Sequence, residues 1–399
     1  MDPSHKPVRS FATPMMSALQ VALVNAIDDP AVPYTELWKI VKEMANKTLA
    51  QGHVDMTAAV NAFDPHMEVL FNTIPRPVLR SITMRMVAYD FWERSSEARK
   101  KWLYEAEGPG AYIFALSVIG RKGASLTGYE NRRLIQTLRT YAWAVEAVQE
   151  KGEVSGNCKL NKTDLMNLDV AAQIDDLYLK NPPHRDPGKI EMPRFGSPGT
   201  LPAARHIRQM ITHLCRRSEP SWDGHQTCLQ SPMMVGSSDD AEREKQNHRV
   251  VTEFTHTSKT WGLLISTLKY IRVEVEETFV PVLKAWEPEH INMGEILLTV
   301  VTGSLVSVDG FNVHQSGTKP VTLQPDDRSL QVNMEDVFNL PWYGENITAS
   351  YESLPQVRRL RAAEKTLDEL LSSGEIEAIV AETKEMEEKM CRARTRPRK

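Results

Sequence analysis

PRPVLRSITMRMVAYDFWERSSEARKKWLYEAEGPGAYIFALSVIGRKGASLTGYENRRLIQTLRTYAW, residues 75–143, is the stretch around which the rest of the chain reads. It carries 12 cations against 6 acids, a local balance of +6 in a chain whose formal net charge is −4. It also holds 10 aromatic residues, among them Trp102, Tyr129 and Trp143. Guanidinium and ammonium groups neutralise phosphates and release counterions. Flat rings stack on unpaired bases with little sequence preference. Aromatics at helical spacing also build ordinary cores, and helix-face cations also serve as plain solvated surface.

The stretch is read as a long helix from about Val78 to Ala106, stopped by Gly108-Pro109-Gly110. Tyr112 to Ile119 is an almost unbroken apolar run and is therefore buried in whatever conformation it takes. Gly120-Arg121-Lys122-Gly123 forms a basic turn. Thr127 and Glu130 have capping-box spacing, so a helix starts there. Its apolar stripe is Leu134, Leu138, Ala142, Val145 and Val148, which leaves Arg132, Arg133 and Arg139 on other faces. The free amides at its N-terminus are expected to favour anions.

Outward from this stretch the pattern is helical. Residues 1–13 read as a flexible, polar, proline-bearing arm. Helices fit Met15–Ile27, Thr35–Ala50, Met56–Phe63 and Asp164–Leu179. Residues 181–202 contain 6 of the chain's 24 prolines and read as a linker. A basic helix over Ala203–Arg217 follows, with Ile207, Ile211 and Leu214 inward and Arg205, Arg208, Arg216 and Arg217 outward. Residues 218–247 are polar and read as a long loop. His248–Phe279 reads as a long helix ended near Pro281. Asp309-Gly310 between apolar triplets is a hairpin signal. The expected fold class is mainly α: two helical lobes with flexible terminal arms and at most a small β-hairpin near 304–323. The expected division is an arm at 1–13, an N-terminal helical lobe at 14–180, the linker at 181–202 and a C-terminal helical lobe at 203–345. A C-terminal amphipathic helix with a basic tail occupies 354–399. Leu360, Leu367, Leu370, Leu371, Ile376, Ile379, Val380, Met386 and Met390 mark its apolar side.

Composition and motif searches narrow the chemistry. Apolar and charged contents of 41% and 25% suit a globular protein. Four widely spaced cysteines argue for a reducing compartment rather than a disulfide framework. The polar N-terminus is not expected to be a signal peptide, and no run approaches the length of a membrane span. Phosphate-cradling glycine loops, nucleophile elbows and HExxH sequences are all absent from the sequence. His213, Cys215, His225 and Cys228 do not have the paired spacing of a zinc site. No cofactor, metal or catalytic residue is expected, and the protein is not expected to be an enzyme.

Ile74-Pro75-Arg76, Arg80, then Arg85-Met-Val-Ala-Tyr-Asp-Phe-Trp-Glu93 and Ser95-Ser96 resemble a passage in coat proteins of flexible filamentous plant viruses. In that family the corresponding aspartate sits in a helical core beside the RNA groove, and the resemblance carries that role to Asp90. The resemblance covers about 25 of 399 residues, and it stands earlier in this chain than in the family. More broadly, a two-lobed helical chain with a basic aromatic segment and terminal arms is similar to nucleocapsid proteins of RNA viruses. The resemblance implies a virion protein, also present in host cytoplasm, whose partners are single-stranded RNA and further copies of itself. The expected phosphate contacts are Arg121, Lys122, Arg132, Arg133 and Arg139. A second rim comprises Arg76, Arg80, Arg85, Lys100 and Lys101, and Trp102 and Tyr129 are the expected stacking rings. Two alternatives stand beside this reading: a helical protein-binding scaffold, and an icosahedral shell protein of a double-stranded RNA virus.

Overall fold

β1, Gly110–Val118, organises the fold of this computed structural model, and every one of its nine residues is buried. The structure describes residues 11, 15–50, 65–92, 97–105, 107–152, 160–178, 192–196, 203–216, 224–242, 259–305, 308, 310–312, 326–372 and 375–394. β1 is the central strand of a three-stranded antiparallel sheet, between β2 (Met233–Ser238) and β3 (Val275–Lys284). Phe114 stands opposite Met234 on one side and Phe279 on the other. A register shift at Ala111/Tyr112 sets Tyr112 opposite Pro281. β3 is an edge strand, where a proline costs no ladder hydrogen bond if its nitrogen faces outward.

Strand alternation sends successive β1 side chains to opposite faces. Ala111, Ile113 and Ala115 join one hydrophobic core, while Tyr112, Phe114, Leu116 and Val118 join another. The first core is closed by α1 (Ala18–Asp28), α2 (Tyr34–Ala50), α3 (Pro65–Asn72), α4 (Arg76–Met84), α5 (Val87–Asp90) and α11 (Pro288–Thr302). The second is closed by α7 (Gly128–Gly152), α8 (Lys162–Tyr178), α9 (Ala203–Arg216) and α10 (Lys259–Tyr270). A short α6 (Glu97–Lys100) precedes β1. Helices therefore cover both faces of a small sheet, which satisfies a strand as apolar as β1. The fold is mainly α, as the sequence pattern predicts.

Several sequence expectations are corrected. The long helix over Val78–Ala106 is interrupted. α4 ends at Arg85, which adopts a left-handed conformation with φ 59°, and the described residues that follow, before β1, hold short turns of helix. β2 lies in the segment read as a polar loop, and β3 replaces the end of the helix read over His248–Phe279. Val275, Thr278, Phe279, Val280 and Val282 are β-formers, and the backbone leaves the α10 helix at Tyr270 before them. Among the described residues, the sheet takes in none of 304–323. There the described residues hold one isolated bridge, Leu305 to Asn312, and residues 313–325 lie outside the described residues. Met56–Phe63 also lies outside them.

The chain divides into two compact units, Met1–Gly344 and Glu345–Lys399. Both hydrophobic cores draw on sequence before and after 181–202, so that segment does not separate two cores. Within the first unit, α12 (Asp327–Phe338) starts from Asp326, whose side chain accepts from the Ser329 amide. α13 (Pro341–Ser353) spans the division. In the second unit α14 (Pro355–Ser372) and α15 (Glu375–Arg394) contact each other. Leu360, Leu367, Ile379, Val380, Met386 and Met390 are all exposed. Of the N-terminal arm, Phe11 is described. It bridges to Thr227 and its ring meets Tyr89 edge-on at 5.9 Å.

Candidate nucleic-acid interface

α7 begins as its sequence predicts. The Glu130 amide donates to Thr127 Oγ1 at 3.3 Å, and Glu130 Oε2 accepts from the Thr127 amide at 2.9 Å. This reciprocal pair is a capping box. Arg121 reaches back from the basic turn and donates to both Glu130 oxygens, at 2.6 and 2.7 Å. Burial raises the Glu130 pKa, but the Arg121 and Thr127 hydrogen bonds outweigh it and hold the carboxyl below its usual range. The next amides are also taken: Gly128 donates to Gln226 O and Tyr129 to Gly224 O. The α7 N-terminus is therefore no anion site. Its donors are satisfied, and a carboxylate already answers the helix dipole.

What α7 presents instead is a lateral face. Leu134, Leu138, Tyr141, Ala142 and Val145 are buried against the second core. Tyr129, Arg132, Arg133 and Gln136 share the opposite side at i, i+3, i+4 and i+7, with Trp143 two turns further on. Tyr129 is 59% exposed and Trp143 is 42% exposed, large values for rings that ordinarily seek the core. Arg132 and Arg133 are exposed and form no ion pair with a described residue, and neither does Lys122. Lys122 stands on the turn before α7 with φ 54°. Arg132 lies over Gly224, where a Cβ would meet its guanidinium at 2.5 Å. Arg139 is half-buried and donates to Cys215 Sγ at 3.5 Å.

α9 packs along α7 and widens this surface. Asn131 Nδ2 donates to Leu214 O at 3.3 Å across the helix pair. Arg208 forms a bidentate pair with Glu146, at 2.6 and 2.8 Å, and sits 6.0 Å from the Trp143 ring centroid. Arg205 and Arg216 are exposed on α9. Their outward position follows from the Ile207, Ile211 and Leu214 spacing, but their place beside α7 is a tertiary fact.

The rest of the predicted set is occupied elsewhere. Arg76 donates to the carbonyls of Ile27 and Asp29, at 3.1 and 3.2 Å, and to Val32 O, and it lies over the Tyr34 ring. It thereby ties α4 to the loop between α1 and α2. Arg80 pairs with Asp28 at 2.7 Å. Arg85 is 3% exposed and donates to Thr302 O at 3.0 Å, so it faces the interior rather than a second rim. Asp90 is buried and paired with Arg99. Trp102 is half-buried on the first core, edge-on to Trp342 at 5.5 Å, so it is not an open stacking platform. Lys101 is exposed and lies over the Trp102 ring, while Lys100 is half-buried. The structure thus keeps Lys122, Tyr129, Arg132 and Arg133 at one surface, with Arg139 at its edge, and commits Arg121 to building it.

Among the described residues, the group of His, Cys, Asp and Glu side chains close enough to share a metal ion is His66, Glu287 and His290. It is not the His213–Cys228 region. No helix among the described residues is long and apolar enough to cross a membrane. No family model matches this chain, no curated protein matches it in sequence, and no solved structure matches its fold.

Proposed function

We propose that this protein binds single-stranded RNA without sequence preference and self-assembles around it, as a nucleocapsid or coat protein of a virus does. The observation that carries the reading is the α7 face. Two guanidinium groups without ion-pair partners among the described residues share it with an exposed tyrosine, and Lys122 stands at its head. Cations supply phosphate neutralisation, and the ring supplies a stacking platform. The resemblance of Ile74–Ser96 to filamentous virus coat proteins supports the viral setting, and the exposed apolar residues of α14 and α15 supply a surface for self-association.

The test is binding of a fluorescent single-stranded RNA at several salt concentrations. Replacing Lys122, Arg132 and Arg133 with alanine removes three phosphate contacts. The slope of log affinity against log salt then flattens by about 2 units, at roughly 0.7 per contact on a single strand. An unchanged slope in a folded triple variant overturns the reading. Negative-stain images and the ratio of absorbance at 260 and 280 nm decide the assembly. RNA-bearing rings or filaments support it. Clean protein of fixed small size favours a protein-binding scaffold, and closed shells favour an icosahedral shell protein.

A further inference from the structure

α3 and α11 pack together in the first core, and their N-terminal turns bring three metal-ligating side chains to one place. Glu287 is the N-cap residue of α11, and His290 lies one turn further on. His66 comes from the first turn of α3. One donor atom from each residue lies within 4.8 Å of the other two.

The environment of His290 is unusual. It is 4% exposed, with the Trp286 ring edge-on at 4.4 Å. Its Nε2 is 3.3 Å from Glu287, and its Nδ1 is buried with no hydrogen-bond partner. A buried polar atom without a partner calls for an explanation.

We propose that His66, Glu287 and His290 bind one divalent transition-metal ion of the zinc class. Two imidazoles and a carboxylate are a recognised three-ligand donor set for zinc, with water in the fourth position. Imidazole donors select zinc, copper or nickel over magnesium and calcium. Tetrahedral zinc, with bonds of about 2.0–2.1 Å, needs its donor atoms about 3.4 Å apart. His66 and Glu287 are exposed and can rotate inward, whereas His290 is held by its packing. The bound ion would staple α3 to α11.

The experiment uses the full chain after dialysis against a chelator. Cobalt(II) is added as a spectroscopic probe and zinc is titrated calorimetrically. The expected result is one ion per chain, visible cobalt absorption bands of a low-coordinate site, and a raised Tm with zinc but not with magnesium. His66→Ala and Glu287→Gln each alter an exposed side chain and weaken zinc binding on the order of tenfold or more, with the metal-free Tm near that of the parent. Zinc binding that is undetectable at millimolar metal, or that both variants retain unchanged, overturns the proposal.

Discussion

Arg121 grips Glu130 through both terminal guanidinium nitrogens, Nη2 to Oε1 at 2.6 Å and Nη1 to Oε2 at 2.7 Å, while Glu130 Oε2 also accepts from the Thr127 amide. One carboxylate thus closes the capping box and anchors the basic turn. Both charged side chains are largely buried, so the pair is better shielded from solvent than a surface ion pair. Arg121 is therefore part of the scaffold that presents Lys122, Arg132 and Arg133.

Glu130→Gln separates the charge from the shape of that anchor. The folded-state carboxyl titrates below its ordinary value. Its contribution is therefore fully present above the unfolded-state pKa and disappears as pH falls through the lower folded-state pKa. Urea unfolding at neutral pH is expected to show Glu130→Gln less stable than the parent by roughly 1–2 kcal/mol. The gap should narrow as pH falls through that window and stay level below it. A gap that widens with acid contradicts the assignment.

Arg121→Ala and the Arg132→Ala/Arg133→Ala pair should fail in opposite ways. The first removes a buried partner and lowers Tm, since it strands the Glu130 carboxylate. The second touches exposed groups and leaves stability within about 0.5 kcal/mol while weakening RNA binding. Thermal melts run beside the RNA titration read both effects, and equal losses of Tm in the two variants would refute the division of roles.

Glu277 points into the second core from β3. Its Oε1 accepts from Trp261 Nε1 at 2.9 Å, and its Oε2 is buried without a partner. Burial raises its pKa from 4.5 to about 7, against the Trp261 hydrogen bond and the charge of Lys269. The folded state therefore holds a proton that the unfolded state has released. Stability falls as pH rises between the unfolded and folded values and levels off above the latter. Glu277→Gln carries no charge to bury and is expected to be more stable than the parent above neutrality, by roughly 1–3 kcal/mol. Chemical unfolding at acidic and alkaline pH checks this. An advantage confined to acid would be the wrong sign.

Gly120 and Gly123 flank the basic turn with nearly equal φ, 79° and 80°, but in different surroundings. A Cβ at Gly120 meets nothing, whereas one at Gly123 falls 2.2 Å from Ala88 O. Gly120→Ala should cost only backbone strain, about 1 kcal/mol. Gly123→Ala must also push β1's following turn off α5 and should cost several times that. Comparable losses in the two would contradict the close packing of turn and helix.

Deleting residues 354–399 tests the second unit. The first unit holds both cores, so the truncated chain is expected to keep a cooperative thermal transition at little changed Tm. Particle formation should cease, because the exposed apolar residues of α14 and α15 are gone. Light scattering after size-exclusion chromatography reads the outcome. Particles that persist would place assembly elsewhere.

Local sequence determined the elements whose cause is local. The Thr127–Glu130 capping box, the α7 stripe from Leu134 to Val148 and the outward Arg205 and Arg216 of α9 follow from spacing alone, because caps and helical faces are set within a few residues, whereas Arg217 lies outside the described residues. The burial of Tyr112–Val118 followed from its apolar content, but Ile119, the end of the same run, lies past the strand and is 53% exposed, and the strand conformation itself did not follow. A short apolar run fits a buried helix or strand equally well, and only pairing with Met233–Ser238 and Val275–Lys284 decided it. Tertiary structure also sorted the arginines. A guanidinium binds a phosphate, a carboxylate or a backbone carbonyl with the same donors. Composition therefore could not tell that Arg76 and Arg85 would meet carbonyls and Arg121 a glutamate, while Arg132 and Arg133 stayed at the surface. His66 is likewise distant in sequence from the Glu287–His290 turn and meets it only because α3 packs on α11. The Glu287–His290 spacing is that of any helix turn and singles out nothing by itself, and the third side chain is supplied only by the fold.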